Sequence, residues 1–136
     1  MEDLQTKALP CTVGEARSAV REALHQRGIN IDAEIDQTRN AFNELISVAA
    51  AVTFLFAPRR EVARLQQALP QLAPYLPLKL CLWQDAESNN WVSYTDLPAL
   101  VAACPSCTGV VAEDIAALNA LLEALVTGLS VQPCSR

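Results

Sequence analysis

Residues 76–96 read LPLKLCLWQDAESNNWVSYTD, and the fold turns on how they are paired. Leu78, Leu80 and Leu82 share one face of an alternating run; Lys79, Cys81 and Trp83 share the other. After a polar turn over 85–90, Val92 and Tyr94 alternate with Trp91, Ser93 and Thr95. A period of two identifies two half-buried strands. Pairing must bring like faces together, because a slip of one residue moves every side chain to the opposite face. The register that satisfies this sets Leu82 beside Val92, Leu80 beside Tyr94, Trp83 near Trp91 and Cys81 near Ser93. The leucine face then goes to the helices, and the tryptophan face is mixed.

Upstream, 4–9 reads as a short strand closed by Pro10. Thr12-Val13-Gly14-Glu15 has the form of a capping box, in which the Thr12 hydroxyl and the Glu15 carboxylate satisfy first-turn amides reciprocally. It opens a helix over 13–27 with Val13, Ala16, Val20, Ala23 and Leu24 on its apolar stripe. Gly28 stands where a left-handed C-cap belongs. Residues 29–35 alternate, which predicts a half-buried strand with Ile29, Ile31, Ala33 and Ile35 inward and Asn30, Asp32, Glu34 and Asp36 toward water. Residues 36–47 are ambiguous; Ala41, Leu45 and Val48 permit a turn or two of helix. The apolar run 50–56 predicts a central strand.

Pro58 suits the first turn of the next helix, whose stripe is Val62, Leu65 and Leu69 and whose end is Pro70. A connector with Pro74 and Pro77 leads into the hairpin. Asp96 caps a short helix over 97–103, with Pro98 in its first turn. A longer helix over 113–129 carries Ile115, Leu118, Leu121, Leu122, Leu125 and Leu129, with Glu113 and Asp114 at its positive end. Residues 130–136 are expected to fray. The order predicts an α+β fold: one domain over 1–136, a two-layer sandwich with a mostly antiparallel sheet and helices packed on one face.

The chain has 136 residues, 51% of them hydrophobic and 18% charged, which is the composition of a single globular domain. Its net charge of −5 repels phosphate backbones, so no nucleic-acid partner is expected. No apolar run reaches the length of a membrane span; the longest, 46–57, holds Ser47 and Thr53 and stops at Pro58. The N-terminus, MEDLQTKALP, has neither a cationic start nor an apolar core, which predicts a cytoplasmic protein. Five cysteines are an odd number, and in a reducing compartment the default is free thiols.

The segment LPLKLCLWQDAESNNWVSYTDLPAL resembles the signature of the bacterial and archaeal domain-of-unknown-function 302 family: an apolar strand after Leu-Pro, an acidic turn, and a Trp-x-Ser-Tyr-x-Asp strand. The Thr12 capping box, the Gly28 turn, the strand ending Ile35-Asp36 and the strand-Pro-helix at 54–59 follow in the same order. The resemblance covers about 12–100, roughly two-thirds of the chain. It implies a two-layer α/β sandwich that tends to dimerise, and no activity. The chain departs from the family pattern at Gln37, where a histidine is common, and at Phe56-Ala57-Pro58, where Gly-Asn-Pro is common.

Several residues are candidates for chemistry. Cys104-Pro-Ser-Cys107 has the spacing of a redox disulfide, although a short helix rather than a strand precedes it; two ordinary loop thiols are the simpler reading. Zinc would need two further ligands, which Cys11 and Cys134 supply only if the termini meet, so no metal is expected. Cys81, inside a strand, is most simply a packing residue. His25 is the only histidine and has no partner nucleophile in sequence. Asp32, Glu34 and Asp36 form a carboxylate row for which a solvated face is the simpler explanation. Arg59 and Arg60 open a helix, where backbone amides bind anions; two exposed charges explain them as well. Trp83 and Trp91, with Tyr94 close by, fit a subunit contact, internal packing, or the floor of a ligand pocket.

No reaction and no cofactor is legible. The sequence predicts a small non-enzymatic domain that homodimerises through the mixed sheet face. The alternatives are a module for an apolar or anionic small molecule, held between sheet and helices, and a thiol redox protein using Cys104 and Cys107.

Overall fold

The computed structural model describes residues 4–102 and 109–130. Its five strands are β1 (Leu4–Ala8), β2 (Ile31–Asp36), β3 (Ala51–Phe56), β4 (Leu78–Gln84) and β5 (Asn90–Thr95). They form one sheet in the order β1-β5-β4-β3-β2, with every neighbouring pair antiparallel. The helices are α1 (Val13–Gln26), α2 (Gln37–Asn43), α3 (Arg59–Ala68), α4 (Leu97–Ala102) and α5 (Gly109–Ser130), with a 3-10 turn over Pro70–Tyr75. The fold is α+β. Helix α1 lies against β3 and β4, α5 lies against β5, and α3 packs on α5.

The β4–β5 hairpin has the register expected from its alternation: Leu82 faces Val92, Leu80 faces Tyr94, Cys81 faces Ser93 and Trp83 faces Trp91. Leu78, Leu80, Leu82, Val92 and Tyr94 are fully buried. Across them lie Ala16, Val20 and Leu24 of α1 and Leu118, Leu122 and Leu125 of α5 in one apolar core. The local signals also hold. Thr12 and Glu15 form the capping box, and Gly28 has φ +67°, the left-handed conformation that costs glycine nothing. The Asp96 carboxylate accepts from the Ala99 amide at 3.0 Å to open α4.

The strand expected inside the sheet, β3, is paired on both sides, next to β4 in the middle. Three boundaries move. Pro58 is the N-cap of α3 rather than part of its first turn. Residues 37–43 form the two turns of α2, with the Asp36 carboxylate accepting from the Arg39 amide at 2.9 Å. Helix α5 begins at Gly109, so Glu113 and Asp114 lie inside it rather than at its end. Asp114 is buried and sits 3.5 Å from the Arg64 guanidinium of α3, a bridge between the two helices.

The larger correction is in β2. Ile31 pairs with Phe56, but Ala33 pairs with Leu55, so a bulge at Asp32 absorbs one residue. Beyond a bulge the alternation inverts relative to the partner strand. Glu34 and Asp36 therefore share the helix side with Phe54 and Val52, and Ile35 turns outward beside Thr53. The carboxylates are not a solvated row. Arg17 Nε donates to Glu34 at 2.6 Å and Arg17 Nη1 donates to Asp36 at 2.9 Å. Arg21 Nε donates to the other Glu34 oxygen at 3.0 Å, and Arg21 Nη2 also reaches Glu34. A half-buried carboxylate needs such partners, because unpaired burial of charge is unfavourable.

Candidate functional site: the uncovered face of the sheet

The helices cover one face of the sheet, and the registers define what the other presents. Leu4, Thr6 and Ala8 of β1 lie beside Thr95, Ser93 and Trp91 of β5. Lys79, Cys81 and Trp83 of β4 lie beside Leu55, Thr53 and Ala51 of β3, and Ala33 and Ile35 complete the face from β2. Among these outward-facing strand positions Lys79 alone is charged. Its ammonium has no ion-pair partner among the described residues.

Trp83 and Trp91 are half-buried and stack with ring centroids 6.2 Å apart and planes 29° apart. Both indole N–H groups are satisfied within the chain. Trp83 Nε1 donates to Ser93 Oγ at 2.9 Å, and Ser93 Oγ in turn lies 2.8 Å from Thr6 Oγ1. Trp91 Nε1 donates to Asp85 Oδ2 at 2.8 Å, in the hairpin turn. That bond, with further bonds from the Asn89 and Glu87 amides, holds the Asp85 carboxyl below its ordinary range. What the pair offers outward is therefore apolar ring surface with its polar demand already met. Beside it, Leu4, Ile35, Thr53, Leu55, Cys81, Trp83 and Ser93 line a shallow depression of about 500 Å³, with Gln37 and Lys79 on its wall. Gln37 is held there by the Thr53 hydroxyl, which donates to its Oε1 at 3.0 Å.

The other candidates lie elsewhere. Tyr94 faces the helices, fully buried, not the tryptophans. Its hydroxyl lies 2.9 Å from Gln5 Oε1 and 3.2 Å from Glu123 Oε1, with the Lys7 ammonium 6.0 Å from its ring centroid. Burial first, and then the nearby Glu123 carboxylate, hold this phenol above its ordinary pKa, against the pull of Lys7. Arg59 and Arg60 are exposed at the start of α3, with Arg59 Nη2 3.7 Å from Asp32. They border a cavity of about 420 Å³ with Arg27, Gly28 and Asn30. That cavity is at the Leu78–Phe56 end of the strands, whereas the indoles are at the Trp83–Ala51 end. The arginines and tryptophans therefore do not form one site. His25 is exposed in the last turn of α1. Cys81 is a free, partly exposed thiol on the uncovered face, and Cys11 is buried. Cys104, Cys107 and Cys134 lie outside the described residues, as does the tail beyond residue 130. Among the described residues no three metal-ligating side chains come together, and no helix is long and apolar enough to cross a membrane.

Sequence reading missed the Arg17–Glu34–Arg21–Asp36 cluster. Arginines four apart on one helix face were a usable signal, but their partners depended on the bulge. Burial penalises the Arg17 cation, yet its bonds to Glu34 and Asp36 outweigh that and leave its pKa raised. Arg21, then Arg17, hold Glu34 below its ordinary range against its own burial. The Arg39 amide, then Arg17, do the same for Asp36.

No curated protein matches this chain. Among solved structures it is similar to an uncharacterized conserved DUF302 protein from Bacillus stearothermophilus, with a TM-score of 0.77 and 17% sequence identity over 93% of this chain and 97% of that one. At that identity the likeness is one of fold. The family model described as "Domain of unknown function DUF302" matches residues 5–125, and the chain belongs to that family.

Proposed function

We propose that this chain is a small cytoplasmic interaction module that pairs with a second copy of itself through the uncovered sheet face. The observation that carries the reading is the Trp83–Trp91 stack, half-exposed with both N–H groups internally bonded. Stacked aromatic rings on an almost uncharged sheet face are the usual anchors of protein contacts. Charge supports a self-contact. A chain of net charge −5 favours a self-contact with few carboxylates; the outward strand positions carry none, and Asp85 at the rim is engaged by Trp91 and the turn amides. The free, partly exposed Cys81 thiol fits a reducing compartment. Size-exclusion chromatography with light scattering tests the reading: a dimer at micromolar protein supports it, and a clean monomer overturns it.

A second reading rests on the depression itself. Its alkyl and indole lining with one unpaired ammonium on the wall suits an apolar molecule bearing a carboxylate. This differs from the sequence expectation of a ligand between sheet and helices, where Leu80, Leu82, Phe54 and Tyr94 fill the space. Trp83 is the reporter: titration with a medium-chain fatty acid should shift its emission, and a flat response counts against this reading.

A further inference from the structure

Four of the six large hydrophobic side chains exposed on the described surface fall within seven residues, Phe42, Leu45, Ile46 and Val48, between α2 and β3. Leu45 is 93% exposed and Phe42 72%. The segment's backbone is well ordered by its own bonds. The Leu45 amide donates to the Phe42 carbonyl at 2.9 Å and the Ile46 amide to the Ala41 carbonyl at 2.9 Å, which together make a Schellman C-cap. Its left-handed position is Leu45, with φ +59°. Glycine is favoured there, because a side chain in this conformation crowds the backbone. A leucine at this position is thus unfavourable twice over, in backbone conformation and in exposure, and nothing among the described residues covers it.

We infer that residues 42–48 form a dimerisation arm, which seats Leu45 and Phe42 in the depression beside Trp83 of the second copy, each protomer reaching across to the other. The inference rests on the self-pairing proposed above and names the part that completes it. Area argues for this occupant. Five strands about 4.8 Å apart and six residues long at about 3.4 Å per residue cover a flat area of roughly 500 Å². Each partner in a stable complex contributes about 800 Å², so the strands alone fall short. The arm supplies the remainder from the correct place. It leads directly into β3, beginning at Ala51, and Ala51 is the cross-strand neighbour of Trp83. It therefore extends the apolar surface at the tryptophan end of the sheet. Its one charged residue beyond Arg39 is Glu44, so two arms meeting two sheet faces bring few like charges together. A two-fold dimer uses both the arm and the seat twice, which is how a small module reaches a standard interface.

Sedimentation equilibrium of the full chain, over a dilution series, tests this with Leu45→Gly, Trp83→Ala and the double variant. Leu45→Gly removes the side chain at an exposed site and suits the backbone, so the thermal midpoint of the monomer should hold or rise. Its dimer affinity should fall about tenfold or more, as for a contact at the centre of an interface. Trp83→Ala should do the same, and the two losses should not add, since both remove one contact. A Leu45→Gly protein that dimerises as tightly as wild type, alongside a weakened Trp83→Ala, overturns the arm and leaves the sheet-face pairing standing. The reverse result overturns both the seat and the sheet face. A wild-type monomer that floats with phosphatidylcholine–phosphatidylglycerol vesicles gives the arm to a lipid surface and overturns the inference, as does a wild-type monomer that binds no vesicle.

Discussion

The two faces of this sheet alternate residue by residue along the same strands, yet they meet different surroundings. On the inner face Leu80, Leu82, Phe54 and Tyr94 are fully buried beneath α1 and α5. One residue away on the outer face, Trp83, Cys81 and Leu55 are only half covered. The inner face is apolar, while the outer face mixes apolar groups with hydroxyls. The inner face holds the molecule together because helices exclude water from it; on the outer face Thr53, Ser93 and Thr95 are buried among their neighbours, but no helix layer among the described residues covers the rings and alkyl groups beside them. In most antiparallel sheets with one solvated side, that side is polar. Here hydroxyls, alkyl groups and indoles occupy it, and Glu34 and Asp36 of β2 lie behind it, paired to Arg17 and Arg21.

The contrast can be broken most sharply by truncation. Leu80→Ala should destabilise the fold by about 3 kcal/mol, the loss typical of a buried leucine, as read by urea unfolding. Trp83→Ala, measured in the monomeric range, should cost far less than a buried aromatic truncation. An equal loss at both positions would mean that the outer face is as closed as the inner one.

The ion cluster behind β2 gives the next largest effect. Arg17→Ala should cost about 2 kcal/mol, because it takes a charge-assisted bond from each of two half-buried carboxylates and leaves Glu34 with Arg21 and Asp36 with the Arg39 amide. The pH dependence sharpens this. Glu34 and Asp36 titrate below their ordinary values of 4.5 and 3.8 in the folded chain. A lowered folded pKa means that their stabilisation is complete above those values and is lost as pH falls through the lower folded ones. The thermal midpoint should therefore drop on acidification below about pH 4.5, and Arg17→Ala should flatten that drop. A slope unchanged by the substitution would remove the cluster from the account.

The smallest pair compares hydroxyls on opposite faces. Tyr94→Phe should lose about 1 kcal/mol by leaving Gln5 and Glu123 without their buried partner. Ser93→Ala should lose less, on the order of 0.5 kcal/mol, because Ser93 is buried but the Trp83 ring it serves is only half-buried, so that water can take over the bond. If Ser93→Ala were the costlier change, the outer face would be drier than the exposure of Trp83 indicates.

Much of this was legible in one dimension. The hairpin register followed from alternation alone, since a slip would have put three leucines in water. Thr12, Glu15, Gly28 and Asp96 announced helix ends through groups only a few residues apart. The candidate site was half legible: Trp83, Trp91 and their shared face could be read, but Tyr94 belongs to the other side, and Arg59 and Arg60 to the other end.

What the chain determines by itself is what neighbours in sequence decide: period, caps, and which face of a strand each residue occupies while the count stays even. Tertiary structure decided the rest. The bulge at Asp32 is set by how β2 must lie on β3, and it reversed Glu34, Ile35 and Asp36 together. Whether an apolar face is covered depends on which layers reach it, through contacts between residues far apart in sequence. Alternation marks such a face but carries no information about what lies over it.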